Sequence, residues 1–423
     1  MLRLSLALVA LLVPAVSFAQ ANQQVLARAQ AERQPMLDTM RELVGIESGS
    51  SDYEGVTRIA GVIAERLRAL GGEIEMVPAQ AGFQRFANTP ERLADSLVAR
   101  FRGRGTRRIL LLAHMDTVYQ RGSLAQQPFR IDGDRAYGLG IADDKHGVAL
   151  IIHTLTILRA LNFDQYGLIT VLINGSEEVA SPASRALIAQ LGSEHDITFS
   201  CEGAGADDAV RLATTGIQNA ILTVKGRASH AGVAPQDGRN ALYELSHQIL
   251  QMRDLSDPSR ALKVNWTIAS AGSVFNAIPA DARAVADMRA DDPREFAAVE
   301  AVMRERIKKT LIPDTTVDVM FEAIFPPLPL REQSQRAAAQ AQQVYAEIGR
   351  TLAVRDVPTG GGTDAAYAAQ KTNAPVIEGF GLKGFGAHSS NAEYIEISSI
   401  EPRLYLLTRM IMDVADGRVA LPQ

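Results

Sequence analysis

Leu168-Ile169-Thr170-Val171-Leu172-Ile173 is an apolar run of strand length that leads into Asn174-Gly175-Ser176-Glu177-Glu178. A strand with one wet face would alternate apolar and polar side chains, so an unbroken run predicts burial on both faces. The stretches 109–113 and 197–201 have the same character, and helical patterns at 147–161 and 184–191 lie between the three. Apolar strands alternating with helices predict an α/β domain, a mostly parallel sheet with helices on both faces. Ahead of it, 22–50 and 53–70 carry helical periodicity, with Val56, Ile59, Ile63, Leu67 and Leu70 at three-to-four spacing.

The rhythm changes between 216 and 326. Strand, helix, strand, strand, helix, strand are read at 220–225, 241–253, 262–271, 283–289, 293–310 and 316–321. That order is βαββαβ, the ferredoxin-like pattern. Pro326-Pro327-Leu328-Pro329 marks its exit, after which a helix at 333–348 and a short strand at 375–378 return to the first sheet. The expected organisation is a main domain of 22–215 and 327–423 interrupted by an inserted domain, 216–326.

The chain has 423 residues, 47% hydrophobic and 22% charged, enough for two or three packed domains. Its formal charge is −5 and it has no Lys/Arg run, which argues against a nucleic-acid partner. Residues 1–21 read as a signal peptide: Arg3, an apolar stretch over 4–16, and a small-residue exit with cleavage expected after Ala19 or Ala21. The mature protein is therefore expected to be secreted or periplasmic, with no membrane attachment. The single cysteine, Cys201, excludes an internal disulfide and reads as a small buried strand residue.

Three apolar strands end in metal-ligand residue types: His114 and Asp116, then Glu177 and Glu178, then Glu202. Functional groups of an open parallel sheet gather at the carboxyl ends of its strands, so these sets are expected to converge. Asp143-Asp144 before a helix and His388 after the last strand complete a mixture of imidazole and carboxylate that suits Zn²⁺ or a similar ion. Taken alone, Asp143-Asp144 could equally cap its helix.

The strings His114-Met115-Asp116-Thr117-Val118, Gly140-Ile141-Ala142-Asp143-Asp144-Lys145, Ser176-Glu177-Glu178, Ala228-Ser229-His230-Ala231-Gly232, Gly360-Gly361-Gly362-Thr363-Asp364 and Gly386-Ala387-His388-Ser389 occur in this order. In them the chain resembles the M20 co-catalytic zinc peptidases, most closely the bacterial glutamate carboxypeptidases. The resemblance implies two Zn²⁺ per subunit bridged by Asp143, one also held by His114 and Glu202, the other by Glu178 and His388. It implies a cis peptide between Asp143 and Asp144. It makes Glu177 the general base and Asp116 the partner of the second nitrogen of His114. His230 would stabilise the oxyanion, within its own subunit or across a dimer. Arg289 and Asn276 would take the substrate's terminal carboxylate, with Gly361, Gly362 and Thr363 adding donors.

The implied activity is release of a C-terminal amino acid, glutamate in the first instance, from small peptides or N-acyl, folate-like substrates. The alternatives are an aminoacylase or dipeptidase preferring apolar amino acids, and a catalytically silent periplasmic binding protein. A homodimer is implied through the inserted domain. Two departures stand out. His146 occupies a position where the family has glycine, and Ala209 stands where glutamate-specific relatives carry lysine, with Arg211 two residues on.

Overall fold

The computed structural model describes residues 20–422 except 80, 81, 84, 87, 359, 390 and 391. All but the last two positions of the expected signal segment lie outside the described residues. Among those described, no helix is long and apolar enough to cross a membrane.

The three apolar runs form Arg108–His114, Leu168–Asn174 and Ile197–Ser200, each buried almost throughout. They sit in one six-stranded sheet whose order is Glu73–Val77, Ser96–Arg102, Leu168–Asn174, Arg108–His114, Ile197–Ser200, Val376–Ile377. The last four strands run parallel, and the first two are added antiparallel at one edge. Helix His146–Ala160, apolar almost all round, is buried against the sheet and against helices Gln23–Val44 and Ile400–Ala415. A helix with no polar face is stable only when covered in this way.

Residues 216–325 form a second, antiparallel sheet in the order Lys263–Ala271, Asp281–Ala290, Gly216–Lys225, Thr316–Phe325. Helices Ala241–Gln251 and Pro293–Arg306 pack on it, over a core that includes Leu222, Leu245, Met288 and Met303. This is the βαββαβ order read from the sequence, with its terminal strands several residues longer. A two-stranded ribbon, Ser229–His230 against Ala277–Ile278, stands apart from that sheet.

One small sheet had no signal in the hydrophobic pattern. It joins Gly384–Phe385, Tyr394–Glu396, Arg135–Tyr137 and Arg130–Asp132, and so holds the loop bearing His388 beside the loop bearing Asp143.

Candidate metal centre

Parallel pairing brings the carboxyl ends of the three central strands to one edge. His114 is the last residue of its strand, Glu177 and Glu178 form a single helical turn just past Asn174, and Glu202 follows Ser200 by two. Asp143 lies in a five-residue turn, Ile141–Lys145, whose backbone leaves helical geometry at Asp143 and Asp144. The peptide between those two residues is cis. Neither aspartate side chain caps helix His146–Ala160, so the capping alternative does not describe this loop.

His114 Nε2 lies 2.9 Å from Asp143 Oδ1 and 3.2 Å from Glu202 Oε1. On the other side of the same aspartate, His388 Nε2 lies 3.1 Å from Asp143 Oδ2 and 3.1 Å from Glu178 Oε2. Two imidazole–carboxylate clusters thus share Asp143, one oxygen each. Asp144, buried completely, also brings an oxygen into the group of His114 and Glu202. The sequence groups it with Asp143 among the candidate ligand types, and the resemblance gives it no ligand role of its own.

The electrostatics favour a cation. Burial and the nearby Asp143 push the Glu178 carboxyl up to about 7. Burial, then Glu202, pushes Asp144 well up, and burial does the same to Glu177. For Asp143 burial opposes ionisation, but His114 and His388 outweigh it and hold the carboxyl well below the usual range. For His114, burial is outweighed by Glu202, Asp116 and Asp143, and the imidazole is pulled well up. Among the described residues Glu178 Oε1 and Asp144 Oδ1 are buried without a hydrogen-bond partner. Crowded carboxylates with idle oxygens, alternating with imidazoles, fit divalent ions of the zinc type.

The supporting contacts differ in one respect from the sequence reading. His114 Nδ1 donates to the backbone carbonyl of Asp116 at 3.0 Å, and the nearer carboxylate oxygen of Asp116 is 3.4 Å away. The carbonyl thus sets the tautomer that leaves Nε2 free as a ligand. The Asp116 carboxylate instead accepts from the Ser50 hydroxyl at 2.7 Å and from the Glu177 and Glu178 amides at 3.0 and 3.1 Å. It holds the turn that presents Glu177 and Glu178.

A cavity of about 1010 Å³ opens over the centre. Asp143, Glu177, Glu178, Glu202, His388, Arg289, Gly361, Gly362 and Thr363 line it, together with Arg211 and Glu378. The Arg289 fork grips Asp287 at 2.9 and 3.1 Å and also donates to the Gly360 carbonyl. The Thr363 hydroxyl is engaged inside the protein, donating to Glu378 at 3.1 Å and accepting from the Ala365 amide. Arg211 is half-buried, donates to the Gly203 carbonyl at 2.8 Å, and has no carboxylate within ion-pair distance among the described residues. It shares a strand face with Ala209, since positions i and i+2 of a strand point the same way. His230 and Asn276 do not line the cavity; both are exposed, at the two-stranded ribbon. Cys201 is fully buried.

His146 is also fully buried, its Nδ1 donating to the Ile141 carbonyl at 2.9 Å. Burial pushes its imidazole down to about 4. Gly381 makes room for it, because a Cβ there would stand 2.2 Å from His146 Nε2.

Residues 110–413 match the model of peptidase family M20/M25/M40, and the chain belongs to that family. It is a hydrolase of the metallopeptidase type. It is 41% identical over 408 residues to Carboxypeptidase G2 of a Pseudomonas species, covering 96% of both chains. Succinyl-diaminopimelate desuccinylase of Gluconobacter oxydans is 28% identical, over 74% of this chain and 82% of its own. Among solved structures, a tripeptidase of Staphylococcus aureus superposes with a TM-score of 0.74 at 20% identity, covering 91% of this chain and 99% of its own.

Proposed function

We propose that the protein is an exported dinuclear-zinc carboxypeptidase that hydrolyses a C-terminal amide bond and releases an acidic amino acid, glutamate first, from small peptides or N-acyl amino acids. The observation that carries this reading is the pair of clusters sharing Asp143, beneath a cavity that also holds Glu177 and two arginines. His114, Asp143 and Glu202 would hold one ion, and Asp143, Glu178 and His388 the other. Bound there, zinc supplies Lewis acidity toward the amide carbonyl and acidifies water to a pKa of about 7.

Glu177 takes the proton of the attacking water and passes it to the leaving amine, a task suited to a buried carboxyl whose proton affinity is raised. Arg289, already aligned by Asp287, receives the α-carboxylate with its planar fork, and Gly361 and Gly362 bring backbone close to it. His230 and Asn276 would reach the substrate by movement of the 216–326 unit or from a second copy of the chain, which is the role we assign to that unit as lid and dimerisation domain. Residues 22–215 and 327–423 form the zinc domain in this reading, and 1–21 the export signal.

The acidic preference rests on Arg211. Ala209 removes the lysine expected of glutamate-specific relatives, but Arg211 offers the cavity a cation without a carboxylate partner among the described residues. The 41% identity to a carboxypeptidase supports the same choice over an aminoacylase. The test compares kcat/KM for N-acyl-glutamate and N-acyl-leucine in the wild type and in Arg211→Ala. A charged hydrogen-bond pair is worth about 1.5–3 kcal/mol, so the variant should lose about 10- to 150-fold on glutamate and little on leucine. A wild type that prefers leucine would establish the apolar aminoacylase or dipeptidase instead.

A further inference from the structure

Glu393 is five residues past His388, next to the strand Tyr394–Glu396, and is 2% exposed. It belongs to neither ligand cluster. Its Oε1 accepts from the Ala142 amide at 2.8 Å, and its Oε2 accepts from the Gly140 amide at 3.0 Å and from the Tyr119 hydroxyl at 2.5 Å. Ala142 is the residue before Asp143. The Tyr119 hydroxyl also lies 3.0 Å from the carbonyl of Ser389, the residue after His388. One buried carboxylate and one phenol therefore tie the two loops whose side chains meet at 3.1 Å between His388 and Asp143.

The need for such a tie is visible at His388. Its side chain is 56% exposed, and its backbone holds a left-handed φ of 61°, so little local packing fixes the imidazole. All three partners of Glu393 are donors, two of them backbone amides that cannot reverse. A glutamine there would turn an NH₂ toward one of them and leave a buried donor unpaired.

We propose that Glu393 is the positioning residue for the Asp143–Glu178–His388 metal site, with Tyr119 completing the clamp. The proposal rests on the two-metal reading above, and the test separates the two. Zinc is titrated into the metal-free full chain in competition with a chromogenic chelator, for the wild type, Glu393→Gln and Tyr119→Phe, with His388→Ala identifying which binding step belongs to the His388 site. Glu393→Gln should weaken that step by about 10- to 100-fold, the usual effect of losing a partner that orients a ligand, and weaken the other step by a clearly smaller factor, since only Asp143 of that site lies on the clamped loops. Tyr119→Phe should weaken the same step by a smaller factor. Wild-type affinity at both sites in Tyr119→Phe overturns the clamp even where Glu393→Gln fails to fold. Parallel loss of both steps in Glu393→Gln also overturns it, by making Glu393 a general structural residue. A wild type that takes up no zinc overturns the metal centre itself, and the clamp with it.

Discussion

Glu177 carries the most direct claim about a single side chain. It is buried, adjacent to Glu178 of one cluster, and outside both clusters, so replacing it with Gln keeps the shape and removes only the proton acceptor. Turnover of Glu177→Gln should fall by a factor of about 10²–10⁴ with the zinc content of the purified protein unchanged, read by steady-state hydrolysis beside metal analysis. Turnover near the wild-type level would remove Glu177 from the mechanism. His114, Asp143, Glu178, Glu202 and His388 could be picked out beforehand because each stands in a short string of recognisable chemistry. Tyr119 and Glu393 could not be assigned in that way. Two of the three partners of Glu393 are backbone amides some 250 positions away, and a backbone amide leaves no mark in a sequence.

The strands that aim these side chains were legible for a plain reason: burial on both faces demands unbroken apolar runs, and 168–173 is one. Glu73–Val77 was not, because this short edge strand has no buried residue and so carries no apolar run. The sheet that carries the His388 loop was missed because its strands are two or three residues long. Packing between elements gives two further expectations. A Cβ on Gly362 would stand 2.5 Å from the Phe325 ring, at the end of strand Thr316–Phe325. Gly362→Ala should therefore cost about 1–3 kcal/mol in denaturant unfolding, and an unchanged midpoint would show that the loop yields freely. His195 joins the end of helix Arg185–Ser193 to strand Leu168–Asn174: its Nδ1 donates to the Leu191 carbonyl and its Nε2 accepts from the Thr170 hydroxyl. Burial holds this imidazole neutral and lowers its pKa. The unfolded chain then takes up a proton that the folded chain refuses, so this contribution is fully present above the unfolded pKa of about 6.5 and is lost as pH falls below it toward the folded value. Unfolding of His195→Gln should fall less steeply than the wild type between about pH 7 and pH 5, and parallel curves would contradict that origin.

Under the proposed function, the strand ends, the shared aspartate and the lining arginines belong to an enzyme whose stability and activity should both depend on bound cations. Without them, Asp143, Glu178, Glu202 and Asp144 face one another across a few ångströms. Ions that bind only the folded chain stabilise it by about 2.7 kcal/mol at a hundredfold excess over Kd, so the melting temperature should rise with free zinc and fall on chelation. A melting temperature indifferent to zinc would contradict this. The measurement closest to the central claim follows amino-acid release from N-acyl-glutamate while zinc is returned stepwise to the chelator-stripped protein. The stripped chain should release nothing, release should be full near two equivalents per chain, and N-acyl-leucine should be cleaved more slowly throughout. Release that survives stripping, or none with two equivalents bound, would contradict it.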